Sequence, residues 1–253
     1  MWLGSRTFPG GSGPLIKLTH PSPNFGPLKL THPSPNFGPR KNGATADMVV
    51  VHYTAMQSAQ AACRTLCNPD NEVSAHYLIA ESGEVMSMVA EDMRAWHGGA
   101  GRWGDVVDVN SRSIGIELAN DGYSPFSAAL MDSLTDLLRG IMARWDIPAC
   151  RVIGHSDMSP ARKIDPGLRF DWRRLALEGV SVWPEAEQGA SLDQFPQMMA
   201  RFGYTATDDP SLLLDCFRRR FRPYGIGPLD ETDMAMITDL ANRFPVDQSA
   251  PTA

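Results

Sequence analysis

Three short stretches carry the side chains with the greatest chemical scope. Gly154-His155-Ser156-Asp157, continuing through Arg162-Lys163-Ile164-Asp165-Pro166-Gly167, gathers a histidine, a lysine and an aspartate into one polar turn region. Val49-Val50-Val51-His52-Tyr53 and Ile114-Gly115-Ile116-Glu117-Leu118 each set one polar side chain, His52 or Glu117, near the end of an apolar run. Two imidazoles and a carboxylate, His52, His155 and Asp165, form a donor set suited to Zn²⁺, which in catalytic sites takes three protein ligands and keeps one position for water. Coordination lowers the pKa of that water to about 7. Glu117, in an apolar setting, is the candidate general base, because burial raises a carboxyl toward the working pH. Lys163 is the candidate for stabilising the oxyanion that forms when water adds to an amide. Taken singly, each has a plainer reading: a hydrogen-bonded histidine at a strand end, a salt-bridge partner, a solvated cation, a turn-initiating aspartate before proline. Only the combination carries the metal-site expectation.

These side chains need strands to hold them. Met48 to Tyr53 reads as a buried strand, with His52 at its end. Ser58 to Cys67 reads as a short helix, Ala75 to Ala80 and Val85 to Val89 as strands joined by the turn Glu81-Ser82-Gly83-Glu84. Ala95 to Gly101 is a glycine-rich loop, and Ser113 to Ala119 is the strand bearing Glu117. Leucines and other apolar residues from Leu130 to Trp145 recur at helical spacing after Ser124-Pro125, a helix start signal. Arg151-Val152-Ile153 is the strand into His155, and the glycines and prolines that follow rule out a continuous helix, leaving Lys163 and Asp165 on a loop. The pattern predicts an α/β fold, a mixed sheet flanked by helices. A small three-helix domain is expected after it, with apolar positions at Phe195, Met198 and Phe202, at Leu213, Phe217 and Phe221, and at Met234, Ile237, Leu240 and Phe244.

The predicted organisation is a segment over 1–28, a main domain over 29–184, a linker over 185–191, a helical domain over 192–245 and a tail over 246–253. The first segment holds a Gly-, Ser- and Pro-rich start, expected to be disordered, and one copy of a direct repeat: Lys17 to Pro27 recurs as Lys29 to Pro39. Two copies are too few for a solenoid, and His20 and His32 are read as solvated. With 253 residues, 43% of them hydrophobic, the chain can bury a substantial core. The net charge of -6 and the lack of a basic stripe argue against a nucleic-acid partner. No apolar stretch approaches the roughly 18 residues of a membrane span. The four cysteines, Cys63, Cys67, Cys150 and Cys216, fit no zinc-knuckle spacing and are read as reduced, buried thiols.

Five motifs, in order, resemble the type 2 N-acetylmuramoyl-L-alanine amidase family in its AmpD and AmiD branch: Val51-His52-Tyr53-Thr54, Ser74-Ala75-His76-Tyr77-Leu78-Ile79, Trp96-His97-Gly98-Gly99, Ser113-Ile114-Gly115-Ile116-Glu117, and Gly154-His155-Ser156-Asp157 through Asp165-Pro166-Gly167. Pro33-Ser34-Pro35-Asn36-Phe37 is similar to the family's N-terminal segment. The resemblance implies a zinc amidase cutting the bond between the lactyl group of N-acetylmuramic acid and L-alanine. It implies His52, His155 and Asp165 as zinc ligands, Glu117 as base and Lys163 as oxyanion stabiliser. Asp165, where other branches carry a cysteine, matches AmpD and AmiD. It further implies Trp96, His97 and Asn36 as substrate-binding residues and His76 as a structural or ligand-supporting residue. The helical domain resembles a peptidoglycan-binding three-helix module through Phe202-Gly203-Tyr204 and Phe217 to Pro223, but has Arg218 where that pattern has glutamine.

The expected partners are peptidoglycan fragments or anhydro-muropeptides, and the expected state is a monomer. A non-catalytic peptidoglycan recognition protein using the same cleft is the alternative, disfavoured because a binder has no need of an open metal site plus a base. The start lacks a basic region followed by an apolar one, which points to the cytoplasm, whereas the two-domain layout points to the periplasm.

Overall fold

The computed structural model describes residues 30–185 and 188–246. The first repeat copy with His20, and the tail from 247, lie outside the described residues. Strands β1 (Phe37–Pro39), β2 (Met48–Tyr53), β3 (Tyr77–Ile79), β4 (Val85–Ser87), β5 (Met93–Ala95), β6 (Ser113–Leu118) and β7 (Val152–Gly154) form two sheets. The larger has the order β4-β3-β6-β2-β7. Its β3, β6, β2 and β7 run parallel and only the edge strand β4 is antiparallel. This is the expected mixed sheet.

The two-residue period of a strand decides what each face meets. Val49, Val51, Ile114, Ile116 and Leu118 turn to one face and are buried with Leu130, Leu134, Leu138 and Ile141 of α3 (Ala128–Trp145). Met48, Val50 and Ile153 turn to the other and join Phe195, Phe202, Phe217 and Phe221. These aromatics belong to α6 (Phe195–Phe202) and α7 (Pro210–Phe221), which with α8 (Glu231–Arg243) complete the predicted helical region. That region keeps no core to itself: its apolar face and the sheet form one buried cluster. Trp103 is part of it, packed edge-on to Phe202 and Tyr204. Gly203 has φ +142°, and a Cβ there would stand 2.3 Å from the Trp103 ring, so the turn after α6 needs glycine.

Several local expectations shift. The helix over 58–67 is α1 (Ala59–Leu66), with the Ser58 hydroxyl accepting from the Ala61 N–H. The cap of α3 is Ser127, which accepts from Leu130, not Ser124. Asp121 instead holds the Ser124 and Tyr123 N–H groups in a turn. The repeat's second copy supplies a strand: β1 pairs antiparallel with β5. Three residues are too short to show an alternating pattern. His155 opens a single helical turn, α4 (His155–Met158), rather than simply ending a strand, because Asp157 folds back to accept the Gly154 N–H at 2.7 Å. All four cysteines are free; Cys216 is buried and the others are half-buried.

Candidate active site

The sheet brings the dispersed residues together. His52 and Glu117 are register partners on adjacent parallel strands, so their side chains leave the same face, opposite α3. β7 lies on the other side of β2 and delivers His155 at its end. The loop that follows folds back: the Ser156 N–H donates to the Asp165 carbonyl at 2.9 Å, while the Arg162 and Lys163 N–H groups donate to the Ser159 carbonyl. Asp165 joins Pro166 through a cis peptide bond. His52, His155 and Asp165, each buried, thereby converge.

Their contacts are close. His52 Nδ1 lies 2.9 Å from His155 Nδ1 and 3.1 Å from Asp165 Oδ2, and His155 Nδ1 lies 3.0 Å from the same oxygen. The partners of the other ring nitrogens fix where the hydrogens sit. His155 Nε2 faces the Gly98 carbonyl at 2.9 Å, which only accepts, so Nε2 carries a hydrogen and, in the neutral ring, Nδ1 is bare. The His52 ring is ordered through two neighbours, Ser113 and His97. The Ser113 hydroxyl has one hydrogen and gives it to the Val109 carbonyl at 2.6 Å. It therefore accepts from His97 Nε2–H at 3.2 Å, which leaves His97 Nδ1 as acceptor for His52 Nε2–H at 3.1 Å. His52 Nδ1 is then bare as well. Two bare nitrogens and a carboxylate oxygen meet with no hydrogen among them, an arrangement that fits a bound cation.

The electrostatics agree. Burial, reinforced by His155, lowers His52 to about 4, so its ring is neutral at neutral pH. Burial, with His52 and His76 beside it, holds His97 well below its usual value. Glu117 goes the other way: burial, helped by the Asp165 charge and opposed by Lys163, pushes it up to about 8. Its Oε2 is buried without a hydrogen-bond partner among the described residues. His52, His97, His155, Asp165 and Glu117 face one cavity of about 470 Å³. Lys163, Arg162 and Trp96 also line it, and Met56, Leu66 and Val73 form an apolar wall.

The remaining expectations divide. Trp96 lines the cavity. His97 lines it too, but both of its nitrogens are engaged by His52 and Ser113, so neither is left to bind a sugar. Asn36 does not line the cavity. It is buried, and its amide donates to the Asn68 and Val73 carbonyls at 2.8 Å. His76 is fully buried beneath the site: Nδ1 accepts from the Gly115 N–H, Nε2 faces the Met93 carbonyl, and the ring packs against His97. Gly115 makes this stack fit, since a Cβ there would lie 2.3 Å from the His97 ring. Ser113 opens one of the five motifs, but a lone small residue before an apolar run gave no sign of its role in orienting His97. Arg162 had a signal, its place beside Lys163.

With this geometry in hand, comparison with known proteins is decisive. Residues 42–168 match the family described as N-acetylmuramoyl-L-alanine amidase. The chain belongs to that family. The N-acetylmuramoyl-L-alanine amidase AmiD of Escherichia coli is 31% identical over 209 residues, 70% of this chain and 75% of AmiD. The 1,6-anhydro-N-acetylmuramyl-L-alanine amidase AmpD of Haemophilus influenzae is 43% identical over 103 residues, 40% of this chain and 56% of AmpD. The solved complex of E. coli AmiD with the substrate anhydro-N-acetylmuramic acid-L-Ala-D-gamma-Glu-L-Lys superposes with a TM-score of 0.73 at 26% identity, covering 87% of this chain and 96% of AmiD's. AmpDh3 of Pseudomonas aeruginosa, solved with anhydromuramic pentapeptide, gives 0.72 at 27% identity over 79% of this chain and 93% of its own. Among the described residues no helix is long and apolar enough to cross a membrane.

Proposed function

We propose that the chain is a zinc-dependent amidase that cuts the amide between the lactyl group of N-acetylmuramic acid and L-alanine, acting on anhydro-muropeptides. The observation that carries this reading is the convergence of two imidazole nitrogens and a carboxylate oxygen in the cavity that Glu117 also lines, its Oε2 without a hydrogen-bond partner among the described residues. His52, His155 and Asp165 would hold the zinc. When bound, zinc supplies Lewis-acid chemistry, polarising a carbonyl and acidifying water to about pKa 7. Glu117 takes the proton of the attacking water as its oxygen adds to the amide carbon, and returns it to the departing L-alanine amine. Burial raises this carboxyl above its ordinary value in the metal-free protein, toward the range where one group can both accept and return a proton. The Lys163 ammonium, on the same cavity wall, balances the negative charge on the carbonyl oxygen. Trp96 and the apolar wall of Met56, Leu66 and Val73 give the cleft a face for the saccharide and peptide.

The substrate class is supported by the two solved relatives bound to anhydromuramyl peptides. A recognition protein would gain nothing from a carboxyl oxygen, Glu117 Oε2, buried without a hydrogen-bond partner among the described residues, so the enzyme is the better reading. The test is mass spectrometry of products from an anhydro-muropeptide and from whole sacculi, each with and without a zinc chelator. Free stem peptide from the muropeptide, lost on chelation and restored by zinc, is expected. Release from sacculi alone would move the substrate to the polymeric wall, and binding without cleavage of either would overturn the enzyme.

A further inference from the structure

His155 sits between backbone groups that are held from the C-terminal helices. On one side, the Gly154 N–H donates to Asp157 Oδ2. On the other, the Ser156 carbonyl accepts from the Cys216 thiol at 3.0 Å. Asp157 is 1% exposed, and its carboxylate also takes the Tyr204 hydroxyl at 2.7 Å and Arg220 Nη1 at 2.7 Å. Arg220, 3% exposed, reaches further: Nη2 donates to the carbonyl of Val152, the first residue of β7, at 3.0 Å. Its guanidinium lies over the Trp172 ring at 4.3 Å. Burial pushes the Tyr204 hydroxyl and the Cys216 thiol well above their usual values, so both keep the hydrogens they donate.

Three residues from α7 and the turn after α6 thus fix the strand end and helical turn that carry one metal ligand. The same turn is tied to the second ligand, because the Ser156 N–H donates to the Asp165 carbonyl. None of the three lines the cavity. A buried ion pair adds little net stability against an apolar substitute, but it fixes a geometry, since a misplaced partner leaves an uncompensated charge in the core. Metal donors must be held to within about 0.5 Å.

We propose that Arg220 and Tyr204, acting through Asp157, are positioning residues for the ligand His155, which makes the C-terminal helices part of the framework of the metal site. The inference rests on the zinc reading above. If the contacts serve only to attach the helices, their loss lowers stability without changing the zinc affinity of the protein that remains folded.

The experiment compares full-length Arg220→Met and Tyr204→Phe with Arg222→Met, under conditions where circular dichroism shows each protein folded. Arg222 binds Asp230 and Asp233 within the same helical region and does not touch the β7–α4 junction. Zinc affinity is read by competition with a chromogenic chelator. Loss of a partner behind a ligand typically weakens metal binding about 10–100-fold, and that range is expected for Arg220→Met, its lower end for Tyr204→Phe, and no change for Arg222→Met. Unchanged affinity in folded Arg220→Met, or an equal loss in Arg222→Met, overturns the proposal. Should Arg220→Met fail to fold, Tyr204→Phe decides: weaker binding upholds it and unchanged binding overturns it. If the parent protein itself binds no zinc, it is the zinc reading that fails.

Discussion

Replacing Glu117 by glutamine changes a charge and almost no volume, which makes the energetics of the site measurable without turnover. In the metal-free protein burial raises this carboxyl from 4.5 to about 8. The unfolded chain therefore releases the proton near 4.5 and the folded chain near 8. Below 4.5 both states hold the proton and Glu117 costs nothing. Between the two values the folded state binds more protons than the unfolded state, so stability falls as pH rises. Above about 8 the whole penalty is in place. At about 1.4 kcal/mol per pH unit, the interval amounts to about 5 kcal/mol, an upper bound because the carboxylate borders a cleft. Glutamine carries no such penalty. Glu117→Gln should match the parent near pH 4.5 and gain on it progressively to pH 8, reaching at most that difference. Urea unfolding of both proteins in chelator, repeated from pH 4.5 to 8, reads the difference directly, and other titrating groups largely cancel from it. A stability difference that stays flat across this range would refute the argument that Glu117 is a carboxylate held against its preference for water. The same variant should keep zinc while losing about 10²–10⁴-fold in turnover if Glu117 moves the proton.

Other perturbations separate the remaining roles. Lys163→Met should retain zinc and lose about 10²–10³-fold in kcat, the scale of one lost oxyanion partner; near-parental turnover at saturating zinc would remove it from that role. Ser113→Ala deletes the acceptor that orients His97 and, through it, His52. Zinc binding should weaken about 10-fold by chelator competition, and an unchanged affinity would break the hydrogen-ordering chain. Gly115→Ala sets a methyl 2.3 Å from the His97 ring, which must move. A loss of about 1–3 kcal/mol on thermal unfolding is expected, and a neutral result would show that the ring moves aside freely.

What the amino-acid sequence determined by itself was local chemistry and period. Apolar runs ending in His52 and Glu117 marked two central strands, because a strand buried on both faces has a continuous signature. The spacing from Leu130 to Trp145 marked α3, because a helix buries one stripe. The type and order of His52, Glu117, His155, Lys163 and Asp165 sufficed to name the chemistry. Only the tertiary structure decided what depends on distant partners. Parallel register set Glu117 beside His52, 65 residues away in the chain, on one face. The hydrogens on the imidazoles are ordered by the carbonyls of Val109 and Gly98, backbone groups that no side-chain pattern reveals. Asn36 stands in a segment similar to the family's N-terminal one, yet its amide is spent on backbone carbonyls, because a motif does not say which way a side chain is used. The helical region shared its core with the sheet, since Phe217 and Phe221 read the same on an independent module as on a docked one. Buried pairing is likewise invisible beforehand: Arg220 is one of a run of arginines, and only folding places it against Asp157.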